Sequence, residues 1–255
     1  MALTLSPLLH FPLVNPGDDL GVLIHDTLEK NALKLQDGDI LVLAQKIVSK
    51  AEDRLVNLTT VTPSAAALTI AEETGKDPRL LELILAESKR VLRTRKNLII
   101  VEHNLGFVCA NAGIDHSNVH GPWGDPEDWV LLLPKNPDKS AAGIREFLEQ
   151  ITQTRIGVLI IDSHGRAWRL GTAGTTIGLS GLPGLVDLRG KPDLYDYHLR
   201  ATTVGAADEL AAAASLVMGQ ANERTPVVLA RGFPYPLREG KLEELIRPKE
   251  LDLFR

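Results

Sequence analysis

Three stretches of this sequence hold residues whose types and spacing could do chemistry. The first is NAGIDHSN, residues 111–118, which gathers two asparagines, an aspartate, a serine and a glycine into one short segment after an apolar run. Asp115 in such a loop can supply the hard oxygen ligand that Mg2+ or Mn2+ prefers, and Asn118 can donate or accept hydrogen bonds at a nucleotide. The same composition suits an Asx-rich turn whose side chains bond only their own backbone. The second stretch is DSHGR, residues 162–166, at the carboxyl end of the apolar run RIGVLIID. Ligand sites on α/β sheets favour that location. Asp162 and Ser163 are adjacent oxygen donors, Gly165 permits close backbone approach, and Arg166 and Arg169 carry charge suited to phosphate or carboxylate. The plainer alternative is a strand-ending turn with a surface ion pair, which is worth little.

Two aspartates at the ends of two strands, each in a loop with glycine and serine, suggest a shared metal site. Asp208, Glu209 and Gln220 are further donors, although Asp208 and Glu209 also fit the first turn of a helix, where they favour its dipole. The third stretch, AQKIVSKAE (44–52), sets Lys46 and Lys50 near the end of a strand. A lysine there is either a point charge for phosphate or an ordinary solvated side chain. There is no Walker A pattern and no G-x-G-x-x-G after a strand, so a nucleotide would be held without a P-loop. His116 and His164 fall in the two candidate loops but match no zinc spacing. Cys109 precedes the first loop on a strand and reads as a buried structural residue.

These residues need a scaffold. Asn15 caps a helix over 16–30 with Leu20, Leu23, Ile24 and Leu28 on one face. The turn QDGD (36–39) leads into a buried strand over 40–48, ILVLAQKIV. Helices follow over 63–74, capped by Thr62 and stopped by Gly75, and over 78–92, capped by Asp77. Residues 97–101 and 107–110 read as a hairpin, and 129–134 and 155–162 as strands, with a helix from Ser140 to Thr152 between them. The glycine-rich stretch 171–190 reads as one strand with long turns. The alanine-rich segment 205–218 is helical by propensity, 226–230 is a late strand, and a short helix over 241–247 precedes an exposed tail. The loop 119–128 is the expected mobile segment. No fixed-period repeat or steady βαβ rhythm appears, so the expected class is mixed α/β (α+β).

Composition bounds the partners. Of 255 residues, 44% are hydrophobic and 24% charged, which is ordinary for a globular core. A net charge of -5 argues against a general nucleic-acid surface. The N-terminus lacks a signal-peptide pattern, and no apolar run approaches the ~20 residues of a membrane span. A single cysteine allows no intrachain disulfide and fits a reducing compartment. A soluble cytoplasmic protein, with no nucleic acid or membrane as partner, is expected.

Taken in order, FPLVNPGDDL, LVLAQKIVSKAE, GFVCANAGIDHSN, LLLP, IDSHGRAWR, IGLSG, VGAADELAAAASLVMGQ and PVVLARG resemble the coenzyme F420-0:gamma-L-glutamate ligase family across nearly the whole chain. The resemblance implies a GTP-dependent amide ligase that needs Mg2+ or Mn2+, with K+ as a candidate further cation. GTP would phosphorylate the terminal carboxylate of F420-0, and the amine of L-glutamate would attack the acyl phosphate; repetition would build a gamma-linked tail. Carried over residue by residue, Asp115 and Asp162 become catalytic metal ligands, joined by Ser163 and Gln220. Lys50 and Asn118 fall on nucleotide-contact positions, and His10, Phe11, Pro12, Leu13, Gln45, Lys46, Arg166 and Gly219 would line the same site. The resemblance further implies a single ligase domain over 1–255, divisible into two lobes, without a C-terminal nitroreductase-like domain, in an interlocked homodimer with mixed sheets. Three features depart from it: a longer loop after Asn118 holding Trp123 and Trp129, the segment LYDYHL (194–199), and Gln220 where a carboxylate is an alternative. They leave open a ligase for another phosphorylated carboxylate or amino acid, or a non-catalytic GTP-binding relative.

Overall fold

The computed structural model describes residues 2–253. In chain order the strands are β1 (Thr4–Pro7), β2 (Ile40–Ala44), β3 (Leu55–Asn57), β4 (Ser88–Arg95), β5 (Leu98–His103), β6 (Val108–Ala110), β7 (Trp129–Leu131), β8 (Gly157–Arg166), β9 (Arg169–Ser180), β10 (Val186–Asp187), β11 (Thr203–Val204) and β12 (Val227–Arg231). The helices are α1 (Leu20–Lys30), α2 (Gln45–Ala51), α3 (Ala65–Thr74), α4 (Pro78–Ala86), α5 (Pro137–Thr152) and α6 (Ala206–Met218). The class is mixed α/β with mixed sheets, as the sequence implies.

A five-stranded sheet in the order β1-β12-β2-β8-β9 is the frame. Its centre, β2, is ILVLA, with Ile40 to Leu43 fully buried. Such an unbroken apolar run is what a strand covered on both faces requires. One face is covered by α1, α2 and α5, through Ile24, Leu28, Val48, Ile144 and Leu148; the other by α6, through Ala207, Leu210, Ala211 and Ala214. β2 and β8 run parallel while the other pairs are antiparallel. The end of β1, the start of β12, the end of β2 and the Ile161–Asp162 region of β8 therefore meet at one end of the sheet.

The glycine-rich stretch 171–190 is chiefly one long strand followed by turns, as expected: its first ten residues complete the twelve-residue β9. Glycine serves close packing there. A Cβ on Gly174 would lie 2.4 Å from the Ala211 carbonyl oxygen in α6, and one on Gly178 would lie 2.5 Å from Pro137 at the start of α5. These glycines face opposite sides because Ile160 pairs with Gly178 and Ile161 with Thr176, so the bulged Ile177 reverses the alternation.

A second sheet, β4-β5-β6, packs against α3 and α4 around its own core of Ala67, Leu81, Ile84, Ile99, Val101 and Cys109. Here the expected hairpin is present but gains a third strand. The helix read over 78–92 ends at Ala86 and the chain turns into β4. Other boundaries also shift. α1 begins at Leu20 with Asp19 as its cap, α3 is capped by Ser64, and α5 starts at Pro137 behind Asn136. The strand read over 40–48 stops at Ala44, and QKIV opens α2 instead, where Ile47 and Val48 offset their weak helix propensity by burial. Residues 119–128, the expected mobile loop, are fastened to Trp129: its Nε1 donates to the Trp123 carbonyl at 2.7 Å, the two indoles meet edge to face, and Gly121 lies against its ring. No helix among the described residues is long and apolar enough to cross a membrane.

Candidate functional site

Asp115 and Asp162, far apart along the chain, face one cavity of about 280 Å³ at the strand-end edge of the large sheet. Lys46, Gly113, Ser117, Ser163, His164, Thr172 and Gln220 also line it.

Asp115 is held by an unusual piece of backbone. Asn111, Ala112 and Gly113 take φ of 51°, 53° and 65° in succession, a left-handed turn directly after β6. For a residue with a Cβ this costs roughly 1–2 kcal/mol, and such strain persists where surrounding structure dictates it. Ala112 is fully buried. Asp115 then exchanges both backbone hydrogen bonds with Leu131 of β7, each 2.9 Å, which fixes the direction of its side chain. The Gln45 amide donates a short hydrogen bond to Asp115 Oδ2, and its own Oε1 is held by Ser49 Oγ at 2.8 Å. Lys46 Nζ lies 3.2 Å from Asp115 Oδ1 and donates to the Ser117 carbonyl and hydroxyl at 2.9 and 3.0 Å. One turn on, Lys50 Nζ donates to the Asn118 carbonyl at 2.9 Å. The i, i+4 spacing of the two lysines on α2 thus grips the loop 115–118 along its length.

Asp162 and Ser163 lie within β8, paired with Thr175 and Gly174 of β9. The expectation of a loop at DSHGR is corrected: β8 continues through Arg166, because β9 supplies a partner for every residue of it. Ser163 Oγ donates to Gln220 Oε1 at 2.8 Å, and Gln220 Nε2 donates to Ser215 Oγ at 3.0 Å. Gln220 reaches this point because Gly219, at φ 73° and ψ -177°, ends α6 in a conformation open essentially to glycine alone. Asn118, also left-handed at φ 57°, donates from Nδ2 to the Ala221 carbonyl at 3.1 Å, tying the loop to the segment after α6.

The electrostatics are those of a crowded anionic site. Burial, with Asp162 nearby, pushes the Asp115 carboxyl up to about 6 despite the opposing pull of Lys46. Burial, then the like charge of Lys46, holds Lys50 below the ordinary lysine value. Two carboxylates, a hydroxyl and an amide oxygen are hard donors, and a carboxylate that resists ionising beside another is the setting a cation would relieve. Among the described residues no three His, Cys, Asp or Glu side chains are grouped to hold a metal ion. A divalent cation here would therefore draw on Ser163, Gln220 and ligand oxygens as well as the aspartates, the manner of Mg2+ rather than zinc.

Other expected residues sort clearly. Gln45, Lys46, Lys50, Asn118, Ser163, Gly219 and Gln220 gather at or beside the cavity. His10 to Leu13 follow β1 at the same end of the sheet but do not line it; Phe11 is buried in the core and Leu13 is exposed. Arg166 lies at the far end of β8, four residues and roughly 13 Å beyond Asp162, and is also outside the lining. Asp208 accepts from the Thr176 backbone at 2.9 Å, a structural role. Burial, then Asp162, pushes the Cys109 thiol up to about 12, as befits an inert core residue. His116 bonds the Glu127 carbonyl at 2.7 Å, outside the cavity lining. His164 is closer to the chemistry than its spacing suggests: it is buried, packs on Phe107, and sets Nε2 3.0 Å from Asp162 Oδ2, though not aligned for a hydrogen bond. Thr172 was not singled out from sequence; pairing of β8 with β9, which sets it opposite Gly165, is what reveals it.

Residues 8–232 match the family model for F420-0:Gamma-glutamyl ligase. The chain is 47% identical over 257 residues, 100% of both chains, to a coenzyme F420:L-glutamate ligase of Methanothermobacter thermautotrophicus. It is 45% identical over 221 residues to that of Methanocaldococcus jannaschii, covering 87% of this chain and 86% of the other. To the Archaeoglobus fulgidus protein of the same name it is 38% identical over 255 residues, 100% of this chain and 97% of the other.

Proposed function

The chain belongs to the F420-0:gamma-glutamyl ligase family, and we propose that it joins L-glutamate to F420-0 with GTP as the energy source, then adds gamma-linked glutamates. The observation that carries this reading is the convergence of Asp115 and Asp162, with Ser163 and Gln220, on one cavity flanked by Lys46 and Lys50.

The chemistry asked of these residues is positioning and charge neutralisation. A carboxylate oxygen of the acceptor attacks the γ-phosphorus of GTP and GDP departs; the amine nitrogen of glutamate then attacks the acyl carbon, and phosphate leaves. Mg2+ or Mn2+ held by Asp115, Asp162, Ser163 and Gln220 would supply charge neutralisation on the phosphate oxygens. Lys46 and Lys50 add fixed positive charge from α2, and their hydrogen bonds to Ser117 and Asn118 hold the loop that presents Asp115. The hydrogen bond from Asn118 to the Ala221 carbonyl joins the loop 115–118 to the backbone just past Gly219, and a nucleotide would lie against this joined edge.

The same reading includes a cytoplasmic homodimer built from two-lobed chains. Its support is the exposed apolar tip of the β8–β9 hairpin, where Trp168 is 86% and Leu170 99% exposed, together with Leu194 and Tyr195 on the excursion between β10 and β11. Neither 119–128 nor 194–199 lines the cavity, so the geometry gives no reason to prefer a different acceptor.

The test is to incubate the purified chain with F420-0, GTP, L-glutamate and Mn2+ and follow the deazaflavin by mass spectrometry. Products heavier by one or more glutamyl residues, with matching GDP release, are expected. Incorporation of a different amino acid only, or GTP binding with no product under any substrate combination, would overturn the reading.

A further inference from the structure

Beyond the cavity, the densest positive charge in this net acidic chain is SKRVLRTRKN, residues 88–97, with Lys89, Arg90, Arg93, Arg95 and Lys96. Its first eight residues form β4, an edge strand of the three-stranded sheet. Two irregularities in its pairing with β5, between Ser88 and Arg90 and between Val91 and Arg93, set which way its side chains face. Val91 pairs with Val101 and Thr94 with Ile99, on the side packed by α3 and α4; Thr94 Oγ1 bonds Glu73 of α3. Arg90, Arg93 and Arg95 pair with Glu102, Ile100 and Leu98, so all three arginines stand on the opposite side, away from those helices. A regular alternation would not have put Arg90 and Arg93 on one face; the extra residue Leu92 does.

That face leads to the site. Ile100 pairs on its other side with Ala110, so Arg93, Ile100 and Ala110 form one row across the sheet, and Ala110 lines the cavity of Asp115 and Asp162. Two strand spacings, roughly 10 Å, separate Arg93 from Ala110, and an arginine side chain shortens the gap further. Arg90 is engaged by Glu102 at 2.7 Å. Arg93 donates only to the neighbouring Leu92 carbonyl, and neither Arg93 nor Arg95 has a carboxylate partner among the described residues. Guanidinium groups with open forks on a partly apolar sheet face, beside a phosphoryl-transfer cavity, are complementary to an extended anion.

We infer that Arg93 and Arg95 hold anionic groups of the acceptor substrate, either its phosphate or the free α-carboxylates that each gamma-linked glutamate leaves behind, so that its reacting carboxylate reaches the cavity at Ala110. The inference rests on the ligase reading and adds the seat of the acceptor. An edge strand can carry cations merely to prevent edge-to-edge association; that role would tolerate loss of the two arginines without any change in ligand binding.

The test is equilibrium binding of F420-0, and of F420-0 already carrying one glutamate, to the full chain without GTP, followed by deazaflavin fluorescence. The variants are Arg93→Gln/Arg95→Gln and, as a charge-matched control, Lys89→Gln/Lys96→Gln. We expect Kd to rise at least about tenfold in the arginine variant, with a weaker dependence on salt than the parent chain shows, and to change little in the control. Loss with both ligands assigns the arginines to the phosphate; loss only with the glutamylated ligand assigns them to the tail carboxylates. Unchanged binding of both, or equal losses in the two variants, overturns the proposal. Binding without GTP reports on the arginine face alone, whereas failure of the parent chain to add glutamate would count against the ligase reading.

Discussion

Asp115→Asn should change the pH dependence of stability in the metal-free protein, with little effect below pH 3.8 and a gain above about pH 6. Asp115 has its carboxyl raised from 3.8 to about 6, chiefly by burial, and its side chain is 23% exposed. A carboxyl raised on folding adds stability that is full below pH 3.8 and is lost as pH rises through about 6. That rise corresponds to about 3 kcal/mol. His103 acts in the opposite sense. Burial, then His164, lowers its imidazole from 6.5 to about 4, its Nδ1 accepts from the Leu105 backbone at 3.0 Å, and its Nε2 has no hydrogen-bond partner. Its contribution is full above pH 6.5 and is lost as pH falls through about 4, again about 3 kcal/mol. In the parent chain these slopes oppose each other across nearly the same window. Asp115→Asn removes one and leaves the other: stability then climbs by about 3 kcal/mol more than in the parent between pH 4 and 6.5. The Asn side chain still accepts from Gln45, so the local hydrogen bond survives. His103→Gln does the reverse, and the double variant is flat with respect to both groups. Denaturant midpoints measured in chelator at half-unit steps of pH read this directly. An unaltered slope in Asp115→Asn would refute the claim that this carboxylate is buried against its own charge.

Three further outcomes follow from the packing and the site. Asp162→Asn keeps the fold, since the strand pairing to Thr175 is made by backbone, but lowers turnover by at least about 10²-fold, the scale of losing one group that stabilises developing charge; steady-state GDP release measures it, and normal turnover would remove Asp162 from the mechanism. Gly174→Ala drives a Cβ into the Ala211 carbonyl and costs about 1–3 kcal/mol or more, because neither β9 nor α6 can retreat without opening the core; an unchanged thermal midpoint would contradict that contact. Arg231→Met leaves Asp39, 1% exposed and held by two guanidinium hydrogen bonds of 2.8 and 2.7 Å, with its charge uncompensated. A loss of roughly 3–5 kcal/mol in chemical denaturation is expected, and restoration by adding Asp39→Asn would confirm the cause.

Much of this was legible in the residues, and what was not has physical reasons. The apolar runs ILVLA and GVLII announce buried strands because continuous hydrophobicity demands cover on both faces, and they are the central parallel pair. DSHGR could not be read as strand, since its partner is glycine-rich and glycine carries no β signal; the glycines of β9 are set by the close approach of α6 and Pro137, a tertiary demand. QKIV looked like strand because β-branched residues favour it, yet the helix there is what brings Gln45, Lys46 and Lys50 to the loop of Asp115. The composition of NAGIDHSN pointed to a site; its left-handed turn, with a buried alanine in it, did not show in composition at all. The convergence of Asp115 with Asp162 comes from packing between sheets: the bridge to Leu131 and the contacts of Gln45 and Lys46, which follow β2 beside β8, set Asp115 there, and no spacing encodes either.

Anomalous diffraction at the manganese edge, from crystals grown with GDP and Mn2+, tests the central claim most directly. Manganese peaks within coordination distance of both Asp115 and Asp162 carboxylates, in contact with the phosphates of the nucleotide, are the predicted result. Manganese bound to neither aspartate, with the nucleotide seated away from their cavity, would contradict the account.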